Sequence, residues 1–190
     1  MARLMNLAIL VLEILAFRIC LSRVPKNSAK ERLRLLTYYT VLSNLAAMPA
    51  SLLYAVLGPV PAAIIVRYLA TCMLTMTLMV VILVLTPASR KPRQLLLMSS
   101  ELYMHTLCPL LSLLSWCLFE EPLPGRGWVL LPVLVTLGYG ILMLLLNARR
   151  IVDGPYLFFR VRERSVFATC LWMAGLVAFI ALLAFALSFL

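Results

Sequence analysis

Histidine, acidic side chains and metal-binding cysteine patterns are scarce in this chain, and each scarcity excludes a class of protein. The 190 residues include one histidine, His105, and seven aspartates and glutamates. The five cysteines show no C-x-x-C spacing, and one histidine cannot complete a typical zinc site, so we expect no bound metal. Charged residues make up 13% of the chain against 64% hydrophobic residues, which excludes a soluble domain with a charged surface.

Long apolar stretches account for almost the whole sequence. They predict membrane-spanning helices, because each approaches the roughly 20 residues that cross a bilayer. Six such stretches lie at about 5–22, 33–57, 60–86, 95–118, 128–147 and 166–189. The first lacks an A-x-A-like cleavage site and is predicted to remain as a helix. We therefore predict an all-α polytopic membrane protein, a six-transmembrane-helix bundle that forms a single domain over residues 1–190.

The excess of positive charge is confined to alternate connections between these stretches. The net charge is +10, and the first, third and fifth connections carry most of the basic residues. They are Arg23, Lys26, Lys30, Arg32 and Arg34; Arg90, Lys91 and Arg93; and Arg149, Arg150, Arg160, Arg162 and Arg164. This pattern follows the positive-inside rule, which puts those loops in the cytoplasm and both termini outside. The charge indicates contact with anionic lipid, and no nucleic-acid partner is predicted.

Polar and ionisable residues interrupt the apolar stretches at similar depths. They are Glu13, Thr40, Ser43, Asn44, Arg67, Glu101 and His105. Counting 1.5 Å per residue from the nearest loops puts them roughly 9–18 Å into the bilayer. Ionisable groups at that depth are costly and mark a functional site by default. We expect these side chains to face one another inside the bundle, with Arg67 as the counter-ion of Glu13 or Glu101.

Two sets of these residues have the spacing of a catalytic site. Thr40, Ser43 and Asn44 share one helix face, and Glu101 and His105 are i,i+4 neighbours. A hydroxyl, an imidazole and a carboxylate supply the nucleophile, base and orienter that acyl transfer requires. A side-chain amide or a backbone N–H would stabilise the oxyanion. The same spacing is also typical of a structural polar core or of a transport path. Spacing alone therefore does not decide between a catalytic site, a structural core and a transport path.

Four short motifs follow one another along the chain. They are Y-T-V-L-S-N from Tyr39, V-R-Y-L-A-T from Val66, M-H-T-L-C-P from Met104 and G-P-Y-L-F-F-R-V from Gly154. In order and spacing they resemble the motifs of a bacterial six-helix membrane family of unassigned function, some members of which are described as permease-like. The resemblance covers most of the chain from residue 37 to about 165, and it implies a location in the bacterial inner membrane.

That family is similar in helix count and motif placement to the eukaryotic androgen-induced proteins. Those are membrane threonine hydrolases of fatty acid esters of hydroxy fatty acids, with a threonine in an early helix and a histidine further on. The resemblance implies that Thr40 is the nucleophile and His105 the general base and acid of a lipid ester hydrolase or acyltransferase. A more distant resemblance, to a transmembrane acyltransferase with a Cys–His pair, makes Cys72 the alternative nucleophile.

The remaining roles are assigned from the chemistry of the residues. Glu101 would orient the imidazole, and Asn44 and Ser43 would serve the oxyanion or position the threonine. Arg67 would neutralise a buried carboxylate such as Glu13, or bind the carboxylate of a lipid. Such a site requires no cofactor, and membrane lipids are the predicted partners because they supply the ester.

Two other functions are alternatives to the hydrolase. The first is a small-solute or proton-coupled transporter in which Glu13, Glu101, His105 and Arg67 form a relay. The second is a non-catalytic membrane scaffold. Internal repeats with paired broken helices, which would favour an inverted-repeat transporter, are not visible in the sequence.

Overall fold

A computed structural model describes residues 1–25, 28–89 and 91–190, and this part of the chain contains helices and no β-strand. Lys26, Asn27 and Arg90, which the sequence assigns to basic connections, lie outside the described residues. The α-helices are α1 (Ala2–Ser22), α2 (Ala29–Leu35), α3 (Tyr39–Leu57), α4 (Pro61–Val80), α5 (Thr86–Ala88), α6 (Pro92–Leu97), α7 (Cys108–Phe119), α8 (Leu130–Ala148) and α9 (Val166–Leu187). The same residues include two π-helical segments, Val81–Leu85 and Leu102–Leu107, and two 3-10 helices, Arg126–Val129 and Leu157–Phe159.

The described residues form six helices that are long and apolar enough to cross a membrane. They run over Ala2–Ser22, Tyr39–Leu57, Pro61–Ala88, Leu102–Phe119, Arg126–Ala148 and Val166–Leu187. Side chains on their outer faces, such as Leu134, Leu171 and Phe185, are apolar and exposed. A bilayer requires that arrangement, because its core offers no partner for polar groups. The predicted all-α six-helix membrane bundle is confirmed.

The third span lies at the centre of the bundle. Helix α4 contacts α3, α7, α8 and α9, and every residue from Ala70 to Leu78 is buried. The Tyr68 hydroxyl donates to the Ala184 carbonyl at 2.6 Å, and Trp116 Nε1 donates to the Leu187 carbonyl at 3.0 Å. The Leu187 carbonyl at the end of α9 thereby gains a partner from another span, and the Ala184 carbonyl, which also accepts from the Ser188 N–H at 3.1 Å, gains a second one.

The fourth span differs from the continuous helix predicted over 95–118. Helix α6 ends before Ser99, which has a positive φ of 57° and breaks the helix. The chain then turns so that His105 Nδ1 lies 2.6 Å from the Leu95 carbonyl, ten residues earlier. Counting 1.5 Å per residue along one straight helix therefore overestimates the depth of Glu101 and His105.

Both π-helical segments come directly before a proline-containing turn. Pro87 follows Val81–Leu85, and Pro109 follows Leu102–Leu107. A proline within a helix lacks an N–H, and its ring collides with the carbonyl four residues earlier, which for Pro109 is that of His105. A wider π turn relieves the collision, and such turns are frequent at functional sites.

Candidate functional site

A cavity of about 520 Å³ opens at the end of the bundle that carries the basic connections, and we call it the polar cavity because the ionisable side chains of Glu101, His105 and Arg160 interrupt its largely apolar wall. It lies where the end of α1, the start of α3, the end of the third span and the loop after α8 converge. Thr40, Glu101 and His105 all line it, so the three predicted catalytic residues share one cavity. Tyr156 and Arg160, from the loop after α8, complete its lining.

Thr40 lies in the first turn of α3 and is 7% exposed. Its Oγ1 lies 3.4 Å from the Tyr156 hydroxyl, and its backbone N–H donates to the same oxygen at 3.4 Å. N–H groups in the first turn have no partner within the helix, and the helix dipole adds positive potential there. Negative charge that develops on a group bound at Thr40 would therefore be stabilised.

His105 lies in the second π-helical segment, and the helix break fixes its ring. A carbonyl oxygen can only accept, so the 2.6 Å contact to Leu95 means that Nδ1 carries a proton. Nε2 of the neutral ring then keeps its lone pair and can act as a base. Thr106 Oγ1 donates to the neighbouring Leu96 carbonyl at 2.9 Å. The two side chains thus also cap the C-terminus of α6.

Glu101 does not hold the imidazole as predicted. Arg23 donates to its two carboxylate oxygens at 3.2 and 2.9 Å, and Ser100 Oγ donates to it at 3.2 Å. The Leu95 carbonyl takes the predicted orienting role at His105. Glu101 instead forms a partly exposed ion pair that joins α1 to the start of the fourth span.

Ser43 and Asn44 are fully buried and do not line the polar cavity, which favours the second of their two predicted roles, to position the threonine, over a direct contact with an oxyanion. The Asn44 amide donates to the carbonyls of Thr40 at 2.7 Å and Met104 at 3.2 Å. Ser43 Oγ donates to the Thr40 carbonyl at 2.9 Å and hydrogen-bonds to Thr77 Oγ1 at 3.0 Å. Asn44 therefore ties the turn of the threonine to the second π-helical segment and acts as a positioning residue.

Arg67 belongs to a separate network of buried polar groups. Its Nε donates to Glu120 Oε1 at 3.2 Å and its Nη1 donates to Ser112 Oγ at 2.9 Å. The side chains of Arg67 and Glu120 are both 0% exposed. Glu120 Oε1 also accepts from Asn6 Nδ2 at 2.9 Å and from Ser115 Oγ at 2.6 Å.

Arg67 pairs with Glu120, which lies beyond the predicted fourth stretch at 95–118, and not with either of its predicted counter-ions. Glu101 pairs with Arg23 instead. Glu13 is fully buried near Arg67 and the Cys108 thiol, but the ion pair of Arg67 is formed with Glu120 and not with Glu13. Because Arg67 does not line the polar cavity, it cannot bind a lipid carboxylate there.

Cys72, the predicted alternative nucleophile, is fully buried in the apolar core together with Tyr68 and Met76. It does not line the polar cavity and is separated from the group that contains Thr40 and His105. A thiol without access to a substrate or a base remains an inert core residue.

Tyr156 has no predicted role, and the arginines and aromatic residues of its loop are also compatible with a position along the membrane interface. The loop instead folds into the bundle, where Phe158 and Phe159 are 5% and 3% exposed. Asn147 holds it from both sides, since its Nδ2 donates to the Val152 carbonyl at 3.1 Å and its Oδ1 accepts from the Val161 N–H at 3.0 Å. The Y-L-F-F run could have predicted this burial, because three aromatic side chains within four residues gain much by leaving water.

Burial raises the pKa of Tyr156 above its ordinary value. The phenol therefore stays neutral at physiological pH. Since its oxygen already accepts the Thr40 N–H, its O–H is available to donate to the Thr40 hydroxyl or to a substrate oxygen.

A small apolar cavity of about 40 Å³ lies inside the bundle next to Thr40. We call it the inner cavity. Thr40, Tyr156 and Leu85 line both this space and the polar cavity, while Met76 and Met173 line only the inner one. Thr40 thus lies at the boundary between the two cavities.

No family model, no curated protein and no solved structure matches the chain.

Gly154→Ala is expected to destabilise the protein, because the added methyl group would lie 2.8 Å from the carbonyl carbon and oxygen of Phe159. Backbone atoms cannot move aside cheaply, so we expect a loss of about 1–3 kcal/mol, measured by thermal unfolding in detergent. Gly138→Ala is the matched control, since no atom lies within 4 Å of its added methyl group. Equal melting temperatures for the two variants would contradict the close packing of the loop that carries Tyr156.

Proposed function

We propose that this protein hydrolyses a lipid ester within the membrane, or transfers its acyl group, with Thr40 as nucleophile and His105 as general base and acid. One observation carries the proposal: Thr40 lines both the polar cavity, which His105 also lines, and the apolar inner cavity. A lipid ester has a matching division, with a polar ester group at one end of a hydrocarbon chain.

The first half of the reaction acylates the threonine. Thr40 Oγ1 attacks the ester carbonyl carbon, and its proton passes to His105 Nε2 through one water molecule, since the hydroxyl hydrogen-bonds to Tyr156 and not to the imidazole. The carbonyl oxygen becomes an oxyanion, which the Tyr156 hydroxyl stabilises by donating its O–H, with the positive end of the helix dipole at the first turn of α3 adding to the effect. The ester C–O bond then breaks, and the leaving alcohol takes the proton from Nε2.

The second half releases the acyl group. Nε2 of His105 removes a proton from a water molecule in the polar cavity, and the resulting hydroxide attacks the acyl-threonine carbonyl carbon. The bond to Thr40 Oγ1 breaks, the threonine recovers its proton from Nε2, and a fatty acid leaves. An acceptor alcohol in place of water would give transfer instead of hydrolysis.

The same proposal includes the setting of the reaction. The protein lies in the bacterial inner membrane with both termini outside, and membrane lipids supply the ester. The basic connections support this orientation, and it turns the polar cavity towards the cytoplasm, with Arg23 and Arg160 at its edge. The hydrolase activity implied by the motif resemblance agrees with the positions of Thr40 and His105.

The transport alternative requires one connected series of ionisable groups. In the described residues Arg67 is paired with Glu120, and Glu101 is paired with Arg23. His105 is bonded to a backbone carbonyl. These separate partners give less support to a relay than to an ester site.

A fluorophosphonate probe tests the proposal on the purified protein in detergent. The Thr40 oxygen should displace fluoride and form one phosphonyl adduct, located by intact mass and peptide mapping. Thr40→Val keeps the shape of the side chain without its hydroxyl and should show no adduct, whereas Thr40→Ser should retain it. An adduct that persists in Thr40→Val, or no adduct on folded wild-type protein, would overturn the assignment.

A further inference from the structure

A shallow apolar groove of about 180 Å³ lies between the third and the last span, on a face that these spans turn towards lipid. We call it the lateral groove. Its lining residues are Met79, Val80, Leu83, Val84, Trp172, Gly175, Leu176 and Phe179. Val80 and Leu176 line both this groove and the inner cavity, so these two side chains form a common wall.

The first π-helical segment, Val81–Leu85, borders all three spaces. Val81 and Leu85 line the inner cavity, Leu83 and Val84 line the lateral groove, and Leu85 also lines the polar cavity. A series of adjoining spaces thus leads from the membrane face of the bundle to Thr40. The turn that connects them is the wide one required by the following proline.

We propose that the hydrocarbon chain of a bilayer lipid occupies the lateral groove and passes between Val80 and Leu176 into the inner cavity. The inference rests on the proposed function, because the inner cavity ends at Thr40. It adds the acyl-chain site and the route by which the substrate reaches the threonine from the side.

The surroundings of the groove identify its occupant. Helix α9 spans the membrane, and its exposed side chains on either side of the groove, Leu171 and Leu182, are hydrocarbon. No atom lies within 4 Å of where a Cβ of Gly175 would project, which leaves the groove open at that point. Lipid tails surround such a surface in a bilayer and are the apolar molecules present there at high concentration.

The volumes of the lateral groove and the inner cavity are consistent with a hydrocarbon chain that enters by displacing side chains. A cavity of about 150 Å³ accommodates a benzene molecule, so the groove of about 180 Å³ accommodates a short stretch of hydrocarbon. The inner cavity of about 40 Å³ is smaller. Met76 and Met173 line it, and methionine side chains with three rotatable bonds rearrange readily around a new apolar group.

Photocrosslinking tests the route independently of catalysis. The full chain is reconstituted in vesicles of phosphatidylcholine that carries a diazirine in the middle of one acyl chain, irradiated, and mapped by peptide mass spectrometry. We expect lipid adducts at groove residues such as Trp172 and also at Met76, which is 3% exposed and is reached only by an inserted chain. Leu176→Trp should fill the passage and lower the Met76 adducts at least about tenfold, equivalent to about 1.4 kcal/mol of binding.

The controls separate blocking from general damage. Leu182→Trp adds the same bulk to an exposed position of α9 that lines none of the three spaces, and it should leave the Met76 adducts unchanged. Leu176→Ala should increase them, which keeps the test decisive if the tryptophan variant does not fold. Met76 adducts that are absent from the wild type, or that do not respond to either change at Leu176, would overturn the route. Protein–protein dimers at Trp172 in place of lipid adducts would assign the groove to a second copy of this chain and overturn it equally.

The two proposals fail in different experiments. Met76 adducts that depend on Leu176, without fluorophosphonate labelling of Thr40, would leave the lipid site in place and remove the hydrolase. Labelling of Thr40 without Met76 adducts would leave the hydrolase and remove the lateral route.

Discussion

Glu120→Gln is expected to lower the free energy of unfolding by about 3–5 kcal/mol, because it leaves the buried Arg67 guanidinium without its ion-pair partner. Both side chains of the pair are 0% exposed, and Arg67 Nε lies 3.2 Å from Glu120 Oε1. Unfolding would be measured by titration with dodecyl sulfate in mixed micelles. A thiol-reactive dye can report the transition as labelling beyond that of the exposed Cys117 and Cys170, since Cys72 and Cys108 are fully buried in the native fold.

The large effect follows from how many helices meet at one carboxylate oxygen. Glu120 Oε1 accepts hydrogen bonds from Asn6 on α1, Arg67 on α4 and Ser115 on α7. Glutamine keeps the shape and one acceptor oxygen but removes the charge that strengthens all three bonds. The substitution therefore weakens the contact between three spans at once.

A second ion pair provides the matched control. The side chains of Arg23 and Glu101 are 47% and 34% exposed, so Glu101→Gln should cost less than about 1 kcal/mol. The double variant Arg67→Met/Glu120→Leu should recover part of the loss, because it removes both buried charges together. If Glu120→Gln were no more destabilising than Glu101→Gln, the buried network would not hold the spans together.

The six spans could be predicted from the sequence because apolar composition over about 20 residues determines where a chain crosses a bilayer. The helix break at Ser99 could not, since no glycine or proline occupies that position and the conformation depends on the capping bonds from His105 and Thr106. Those bonds join residues ten apart along the chain, beyond the i,i+4 spacing used to read a helix.

The position of Thr40 and His105 in one cavity could also be predicted, because few polar residues interrupt the apolar stretches and each of them avoids lipid. Their partners could not be predicted. Glu120 reaches Arg67 from the end of α7, and Tyr156 reaches Thr40 from a loop that folds back into the bundle. Such pairings depend on the rotation of each helix about its axis and on loop conformation, which spacing does not determine.

His105→Asn is expected to slow fluorophosphonate labelling of Thr40 by about 10²–10⁴-fold, the usual contribution of a general base. The imidazole has two separate tasks in the proposed site. Its Nδ1 caps α6 through the Leu95 carbonyl, and its Nε2 receives the threonine proton. The asparagine amide nitrogen occupies nearly the position of Nδ1 and can donate to Leu95, but asparagine has no group in place of Nε2. The rate should therefore fall while the melting temperature stays close to that of the wild type.

Two further variants distinguish catalysis from capping. Thr106→Val removes the parallel bond to the Leu96 carbonyl without touching the imidazole, so it should lower the melting temperature and leave the labelling rate of the folded protein unchanged. His105→Ala removes both functions, and it should lower the melting temperature as well as the rate. If His105→Asn labelled at the wild-type rate, the imidazole would serve the fold alone, and the base of the proposed reaction would have to be another group in the polar cavity. Glu101 could not replace it without giving up its ion pair with Arg23, because both of its carboxylate oxygens are engaged there.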